Sequence, residues 1–120
     1  MGQSVEIRVS WFRRMTDLIV VLVTCGSEEE ALKISRSIVE ERLAACVNIL
    51  SPIQSIYRWE GKILDEQEWL LLIKTRKARF LELEGKVKAL HSYSAPEIIS
   101  LPISEGSSIY LDWVREMTQK

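Results

Sequence analysis

The sequence has few of the features that mark a secreted or membrane-spanning chain. Its longest uninterrupted apolar run, residues 18–23, is far shorter than the ~20 residues that a bilayer-spanning helix needs. Only 2 residues are cysteine, which is too few for a disulfide scaffold. The first residues carry charges without a continuous apolar segment, unlike a secretory signal. We therefore predict a cytoplasmic protein with reduced thiols and no membrane partner.

The chain also lacks an excess of either charge and lacks the usual catalytic motifs. Its 16 Lys and Arg residues balance 17 Asp and Glu residues, so no basic surface for nucleic acid is indicated. The single histidine, His91, excludes any mechanism that needs two. No Gly-x-Ser-x-Gly nucleophile motif is present. These absences favour a binding protein without enzymatic activity.

The length of 120 residues fits one domain. Residues 1–14 show only a weak alternation around Val5, Ile7 and Val9, and they precede a second methionine, Met15. We predict that residues 1–14 are a flexible extension and that residues 15–120 form a single domain. An additional edge strand is the alternative for the extension, since alternating β-branched residues permit one.

The first half of the domain predicts a strand, a helix and a long hairpin. Residues 18–23 are continuous and β-branched, as in a buried central strand. Ser27 and three following glutamates predict a capped helix that runs to about Leu43. Residues 45–59 read as one strand with a bulge at Pro52, and the Glu60-Gly61 pair predicts a tight turn into a strand that ends at residues 69–73.

The second half predicts a helix over residues 80–90, a short edge strand between Pro96 and Pro102, and a final helix that begins after Gly106. The order βαββαβ with a C-terminal helix predicts an α+β fold, the ferredoxin-like sandwich. Its two helices cover one face of the sheet and leave the other uncovered. That face and the aromatic hairpin residues Tyr57 and Trp59 favour a homo-oligomer.

Four blocks in order carry a resemblance to a known family: LAACVNI at residues 43–49, SIYRWEG at residues 55–61, IKT at residues 73–75 and HSYSAPEI at residues 91–98. The chain resembles the divalent-cation tolerance CutA family from about residue 17 to residue 115. The resemblance implies a homotrimer similar in architecture to the PII signalling proteins. It also implies a role in metal-ion tolerance and in the response to metal ions, with copper among the ligands.

The resemblance carries over only part of a copper site. In enterobacterial members of the family, copper ligation is assigned to a cysteine at the end of the first strand and to two consecutive histidines after the second helix. The matching positions in this chain are Val23, Leu90 and His91. Only His91 retains a ligand side chain.

The predicted topology suggests a different set of ligands. The first strand ends, the second helix ends and the fourth strand begins at one edge of the sheet, so Cys25, His91 and Glu97 are expected to approach one another. A mixed set of sulfur, nitrogen and oxygen donors suits copper or zinc, which we expect as an optional rather than an obligatory cofactor. The alternative is that His91 caps a helix and that Glu97 pairs with a nearby cation.

Four further residues are candidates for an inter-subunit cleft, where the PII-like architecture implies a ligand site: Tyr57, Trp59, Lys74 and Tyr93. Packing explains the three aromatic side chains equally well. Lys74 follows an apolar strand and must reach a counter-charge or an opening. The function that we predict is divalent-cation binding and tolerance. The alternative is a PII-like sensor of a small anionic metabolite or nucleotide.

Overall fold

The computed structural model describes residues 16–119, so the prediction for the extension at residues 1–14 lies outside the described residues. The predicted order of elements is confirmed. The strands and helices are β1 (Leu18–Cys25), α1 (Glu28–Glu40), β2 (Cys46–Trp59), β3 (Lys62–Arg76), α2 (Phe80–Leu90), β4 (Ile98–Pro102) and α3 (Ser108–Met117). No helix in the described part of the chain is long and apolar enough to cross a membrane.

The four strands form one antiparallel sheet in the order β2-β3-β1-β4. This order confirms the ferredoxin-like fold, with β1 and β3 at the centre. β4 is an edge strand that ends at Pro102, opposite Ile19. A proline lacks the N–H that donates to the ladder. It is therefore tolerated in an edge strand, where one side has no partner strand, but not in a central strand.

The β2–β3 hairpin has a turn and a bulge that both follow from local sequence. Glu60 and Gly61 adopt φ angles of 49° and 75°, as a two-residue type I′ turn requires. The register shifts between Leu50 and Ile53, which confirms the bulge predicted at Pro52. Residues 53–68 project beyond the bulge as a two-stranded arm.

The main core lies between the sheet and the helices α1 and α2. Ile34 and Ile38 of α1 and Val87 of α2 pack with Val21 and Ile73 of the central strands, and all five side chains are fully buried. Alternation along β1 and β3 directs every second side chain to this layer. The apolar spacing of the sequence therefore reports correctly which strand residues meet the helices.

The opposite face of the sheet is covered only at one end, where Leu111 and Val114 of α3 pack with Leu18 and Ala45. Beyond α3, this open face consists of apolar side chains of which several are exposed. Its members are Val20, Leu22, Leu50, Leu70, Leu72, Ile99 and Leu101. We predicted that α1 and α2 leave this face uncovered, and in the described residues it is uncovered except at the end where α3 packs.

Helix α1 ends three residues earlier than its apolar spacing predicts. It ends at Glu40 because Arg42 has a φ of 59°, which a right-handed helix does not allow. The N–H groups of Leu43 and Ala44 both donate to the carbonyl of Ile38, which turns the chain toward β2. The predicted start is correct, since the Ser27 hydroxyl accepts from the N–H of Glu30 at 3.2 Å.

Candidate metal site and adjoining cavity

Three potential metal ligands meet where β1, α1 and α2 come together. Cys25 is the last residue of β1, Glu30 lies in the first turn of α1, and His91 directly follows α2. One ligand atom from each, a thiol sulfur, a carboxylate oxygen and an imidazole nitrogen, lie within 4.8 Å of one another. The structure therefore brings two of the three predicted ligands together and adds a carboxylate that the sequence did not suggest.

The thiol of Cys25 lies in an apolar setting. Its side chain is fully buried in the core under α1. Burial raises its pKa to about 12, and the negative charges of Glu30 and Glu68 add to the shift. At neutral pH the sulfur is a protonated thiol, so a metal ion has to displace a proton in order to bind it.

The imidazole of His91 is held by two hydrogen bonds and is fully buried. Its Nε2 lies 2.7 Å from the carbonyl oxygen of Thr24, and its Nδ1 accepts from the N–H of Tyr93 at 3.0 Å. A carbonyl can only accept and a backbone N–H can only donate, so these partners fix the neutral tautomer with the proton on Nε2. A carboxylate oxygen of Glu30 lies 3.9 Å from the same Nδ1.

Glu30 is the ligand that sequence reasoning missed. The sequence places it in a capping box, where its carboxylate would return to the start of its own helix. In the structure the carboxylate instead accepts from the backbone N–H of Ser92 at 2.6 Å and from its hydroxyl at 3.2 Å. The glutamates at positions 28–30 look alike in the sequence, and only the packing of the loop after α2 selects the third.

Glu97, the third predicted ligand, lies outside this cluster. It lies on the wall of a neighbouring cavity of about 680 Å³, at the point where the arm leaves the sheet. The predicted cleft residues Tyr57, Trp59 and Tyr93 line the same cavity. The remaining lining residues are Thr24, Gln54, Ser55, Ile56, Glu68, Ser94 and Ala95.

A buried carboxylate and two tyrosines define the inner part of this cavity. Glu68 is only 5% exposed and accepts from the hydroxyl of Tyr93 at 3.0 Å. Burial and the hydrogen bond to Glu68 raise the pKa of Tyr93. The hydroxyl of Tyr57 donates to Glu66 at 3.0 Å on the arm. Both phenols are therefore neutral donors to carboxylates at physiological pH.

Lys74, the fourth predicted cleft residue, does not line this cavity. It lies on β3, six residues from Glu68, and its ammonium group donates to the side-chain amide oxygen of Asn48. The expected counter-charge or opening is replaced by a neutral amide on the adjacent strand β2. The cavity thus receives no positive charge from Lys74.

Comparison with known proteins gives one consistent family. The family model described as the CutA1 divalent ion tolerance protein matches residues 19–117. The divalent-cation tolerance protein CutA of Thermus thermophilus is 57% identical over 99 residues, which cover 82% of this chain and 96% of that protein. The chloroplastic protein CutA of Arabidopsis thaliana is 45% identical over 116 residues, which cover 97% of this chain and 64% of that protein.

The solved structures agree with the sequences. The divalent cation tolerance protein of Thermus thermophilus superposes with a TM-score of 0.83 at 55% identity, and the match covers 85% of this chain and 99% of that chain. A protein of Xylella fastidiosa described as CutA gives a TM-score of 0.85 at 40% identity, covering 87% of this chain and all of that chain. The arrangement of strands and helices described above is thus shared with experimental structures.

Proposed function

Because the chain belongs to the CutA1 divalent ion tolerance family, we propose that it binds a divalent cation, copper or zinc, through Cys25, Glu30 and His91. The observation that carries the proposal is the convergence of these three ligand atoms within 4.8 Å. Thiolate and imidazole ligands suit copper and zinc, and a carboxylate completes a set that zinc commonly uses. The family is named for tolerance of ions, and we propose binding without catalysis.

Binding at this cluster exchanges internal hydrogen bonds for metal ligands. The ion takes the lone pair of His91 Nδ1, which now accepts from the N–H of Tyr93, and it displaces the thiol proton of Cys25. Each exchange lowers the affinity relative to a site with free ligands, and the proton release makes the affinity rise with pH. Such a site suits an ion that is held when its concentration is high, as tolerance requires.

Calorimetric titration with Zn²⁺ and Co²⁺ tests the proposal, with the two cysteines as a matched pair. Cys25→Ser removes the proposed ligand, whereas Cys46→Ser removes a thiol that lies on β2 outside the cluster. We expect one ion per chain, and we expect affinity to fall in Cys25→Ser and in His91→Gln but not in Cys46→Ser. Bound Co²⁺ should show sulfur-to-metal charge-transfer absorption that disappears in Cys25→Ser. Equal binding by both cysteine variants would overturn the assignment.

We also propose that the protein is a homotrimer, as the resemblance to PII proteins implies. The support is the set of large apolar side chains left exposed on the open face and on the arm, including Leu101 at 51%, Ile56 at 66% and Trp59 at 48%. Exposed apolar areas of this kind usually mark an interface. Light scattering on the purified chain should give three times the mass of the 13.9 kDa subunit, and a monomeric mass at micromolar concentration would contradict the trimer.

A cytoplasmic location is our proposal for the compartment. Cys25 lies opposite Trp69 and Cys46 lies opposite Lys74, so the two thiols are displaced by about 17 Å along β3 and cannot form a disulfide within the chain. Two thiols that cannot pair fit a reducing compartment. Cell fractionation tests the location, and recovery of the protein outside the cytoplasm would contradict it.

A further inference from the structure

The cavity beside the arm has a one-sided charge. Two of its eleven lining residues, Glu68 and Glu97, are acidic, and none is lysine, arginine or histidine. The cationic side chain that sequence reasoning placed there, Lys74, binds Asn48 instead. An anionic metabolite or nucleotide would therefore meet carboxylates and no positive charge from the described residues, which disfavours the sensor of anions implied by the PII-like architecture.

Glu68 has an unusual environment for a carboxylate. Its side chain is largely buried, with only 5% of the residue exposed, yet it makes no ion pair with any described residue. Its oxygen Oε2 accepts from Tyr93, and no hydrogen bond to Oε1 is formed within residues 16–119. Oε1 is accessible to solvent, so a cation that enters the cavity can reach this oxygen and provide the counter-charge that the largely buried carboxylate lacks among the described residues.

Three aromatic side chains surround the same space. Tyr57, Trp59 and Tyr93 line the cavity, so in the proposed trimer, where Trp59 anchors the interface, the cavity lies at a boundary between subunits. The π-faces of tyrosine and tryptophan attract organic cations, and a cage of aromatic residues with a carboxylate is a common way to recognise an ammonium group. The volume of about 680 Å³ lies within the range that small-molecule sites occupy.

We propose that this cavity binds an organic ammonium cation, with its charged nitrogen at Glu68 and its carbon skeleton against the aromatic side chains. The site is separate from the metal cluster, because Glu68 and Glu97 do not belong to the group of close-lying ligand atoms that Cys25, Glu30 and His91 form. A hard divalent ion needs several converging carboxylate or carbonyl oxygens, whereas Glu68 and Glu97 are the only carboxylates among the lining residues and belong to no close-lying group of three ligands. The lining therefore selects a large, weakly hydrated cation.

A pair of probes with the same ring and opposite charge tests the proposal on the full chain. Calorimetry with tyramine should show binding, and 4-hydroxyphenylacetate should show none. Glu68→Gln keeps the shape and an oxygen that can accept from Tyr93, but it removes the charge. This variant should lower the affinity for tyramine at least about tenfold, since a charge-assisted hydrogen bond contributes that much or more to binding.

Two further variants make the test specific. Glu105→Gln removes the same charge at an exposed position outside the cavity and should leave tyramine affinity unchanged. Glu97 is also exposed, so Glu97→Gln should not disturb folding. It should lower the affinity for tyramine less than Glu68→Gln does. Binding of the anion as tight as that of tyramine, equal weakening by Glu105→Gln, or no tyramine binding at about 1 mM would each overturn the proposal. The metal proposal is tested by Cys25→Ser and stands or falls separately.

Discussion

The ring of Tyr93 lies directly against the backbone of Gly26. A β-carbon at Gly26 would lie 2.8 Å from the tyrosine hydroxyl oxygen and 3.4 Å from two ring carbons. The same hydroxyl donates to Glu68, and the backbone N–H of Tyr93 donates to His91. The absence of a side chain at Gly26 therefore lets one residue join the metal cluster to the neighbouring cavity.

Replacement of Gly26 by alanine should displace Tyr93 and weaken its hydrogen bond to Glu68. We expect the free energy of unfolding to fall by about 1–3 kcal/mol, because an extra methyl group forced into a packed site costs this much. Gly85→Ala is the matched control, since beyond its chain neighbours and its own helix backbone no atom lies within 4 Å of the added carbon. It lies within helix α2 and should stabilise by about 0.5–1 kcal/mol. Urea denaturation measures both, and a Gly26→Ala protein as stable as the parent would contradict the contact.

The two thiols should differ in reactivity. Cys25 is fully buried and its pKa is raised to about 12, whereas Cys46 is half-buried. A disulfide reagent such as DTNB at pH 8 should therefore modify Cys46 first in the folded protein, and it should modify both thiols in guanidinium chloride. Mass spectrometry of the singly labelled protein identifies the site. Labelling at Cys25 before Cys46 would show that the core around β1 opens more easily than the structure indicates.

The same pKa shift makes stability depend on pH in the alkaline range. The thiol of the unfolded chain ionises near its ordinary pKa of 9.0, and the folded thiol only near 12. Below pH 9 the thiol is protonated in both states and does not lower stability. Between pH 9 and 12 it ionises only in the unfolded state, so the free energy of unfolding falls as pH rises. Cys25→Ala should flatten this decline between pH 9 and 11, and Cys46→Ala should not. Parallel slopes for the two variants in urea denaturation would contradict the shift.

Arg76 should prove important for the attachment of helix α3. Its guanidinium donates to the carbonyl of Arg115 at 2.6 Å and to the hydroxyl of Thr118 at 3.0 Å, at the helix end that lacks internal partners. Arg76→Met should lower the free energy of unfolding by about 1–3 kcal/mol and should speed hydrogen exchange in α3. Arg36→Met on the exposed side of α1 is the control and should change stability little. Unchanged exchange in α3 would show that the apolar contacts alone hold the helix.

Trp59→Ala should weaken the proposed trimer more than it weakens the subunit. Trp59 lies opposite Lys62 beside the turn and remains 48% exposed, so its own hairpin does not bury it. Truncation of such an interface anchor typically costs about 2 kcal/mol or more. Mass measured over a dilution series should show earlier dissociation, and Arg58→Ala at the neighbouring exposed position should not. A variant that stays associated while its subunits melt earlier would place Trp59 in subunit packing instead.

Two of the three residues of the metal cluster could be predicted from the sequence. Cys25 and His91 were placed together correctly, because they follow from the order of strands and helices. The sheet topology predicts Glu97 as a ligand, and the apolar run before Lys74 predicts a cleft residue, but side-chain direction takes Glu97 to the wall of the cavity and Lys74 to Asn48. The sequence does not distinguish Glu30 from Glu97 as the carboxylate ligand, since spacing along the chain does not fix which way a side chain points.

The sequence by itself determined the order of elements, the Glu60-Gly61 turn and the residues that α1 and α2 bury, because each depends on local backbone preferences or on a regular apolar period. It also indicated the family, through the resemblance of four sequence blocks to known members. Only the tertiary structure decided that Glu30 leaves its helix cap for Ser92 and that Glu68 is buried against Tyr93. Both contacts join residues far apart in the chain, at 62 and 25 positions. No local pattern encodes such pairs, since their partners become neighbours only after the helices pack onto the sheet and the loop after α2 closes over Gly26.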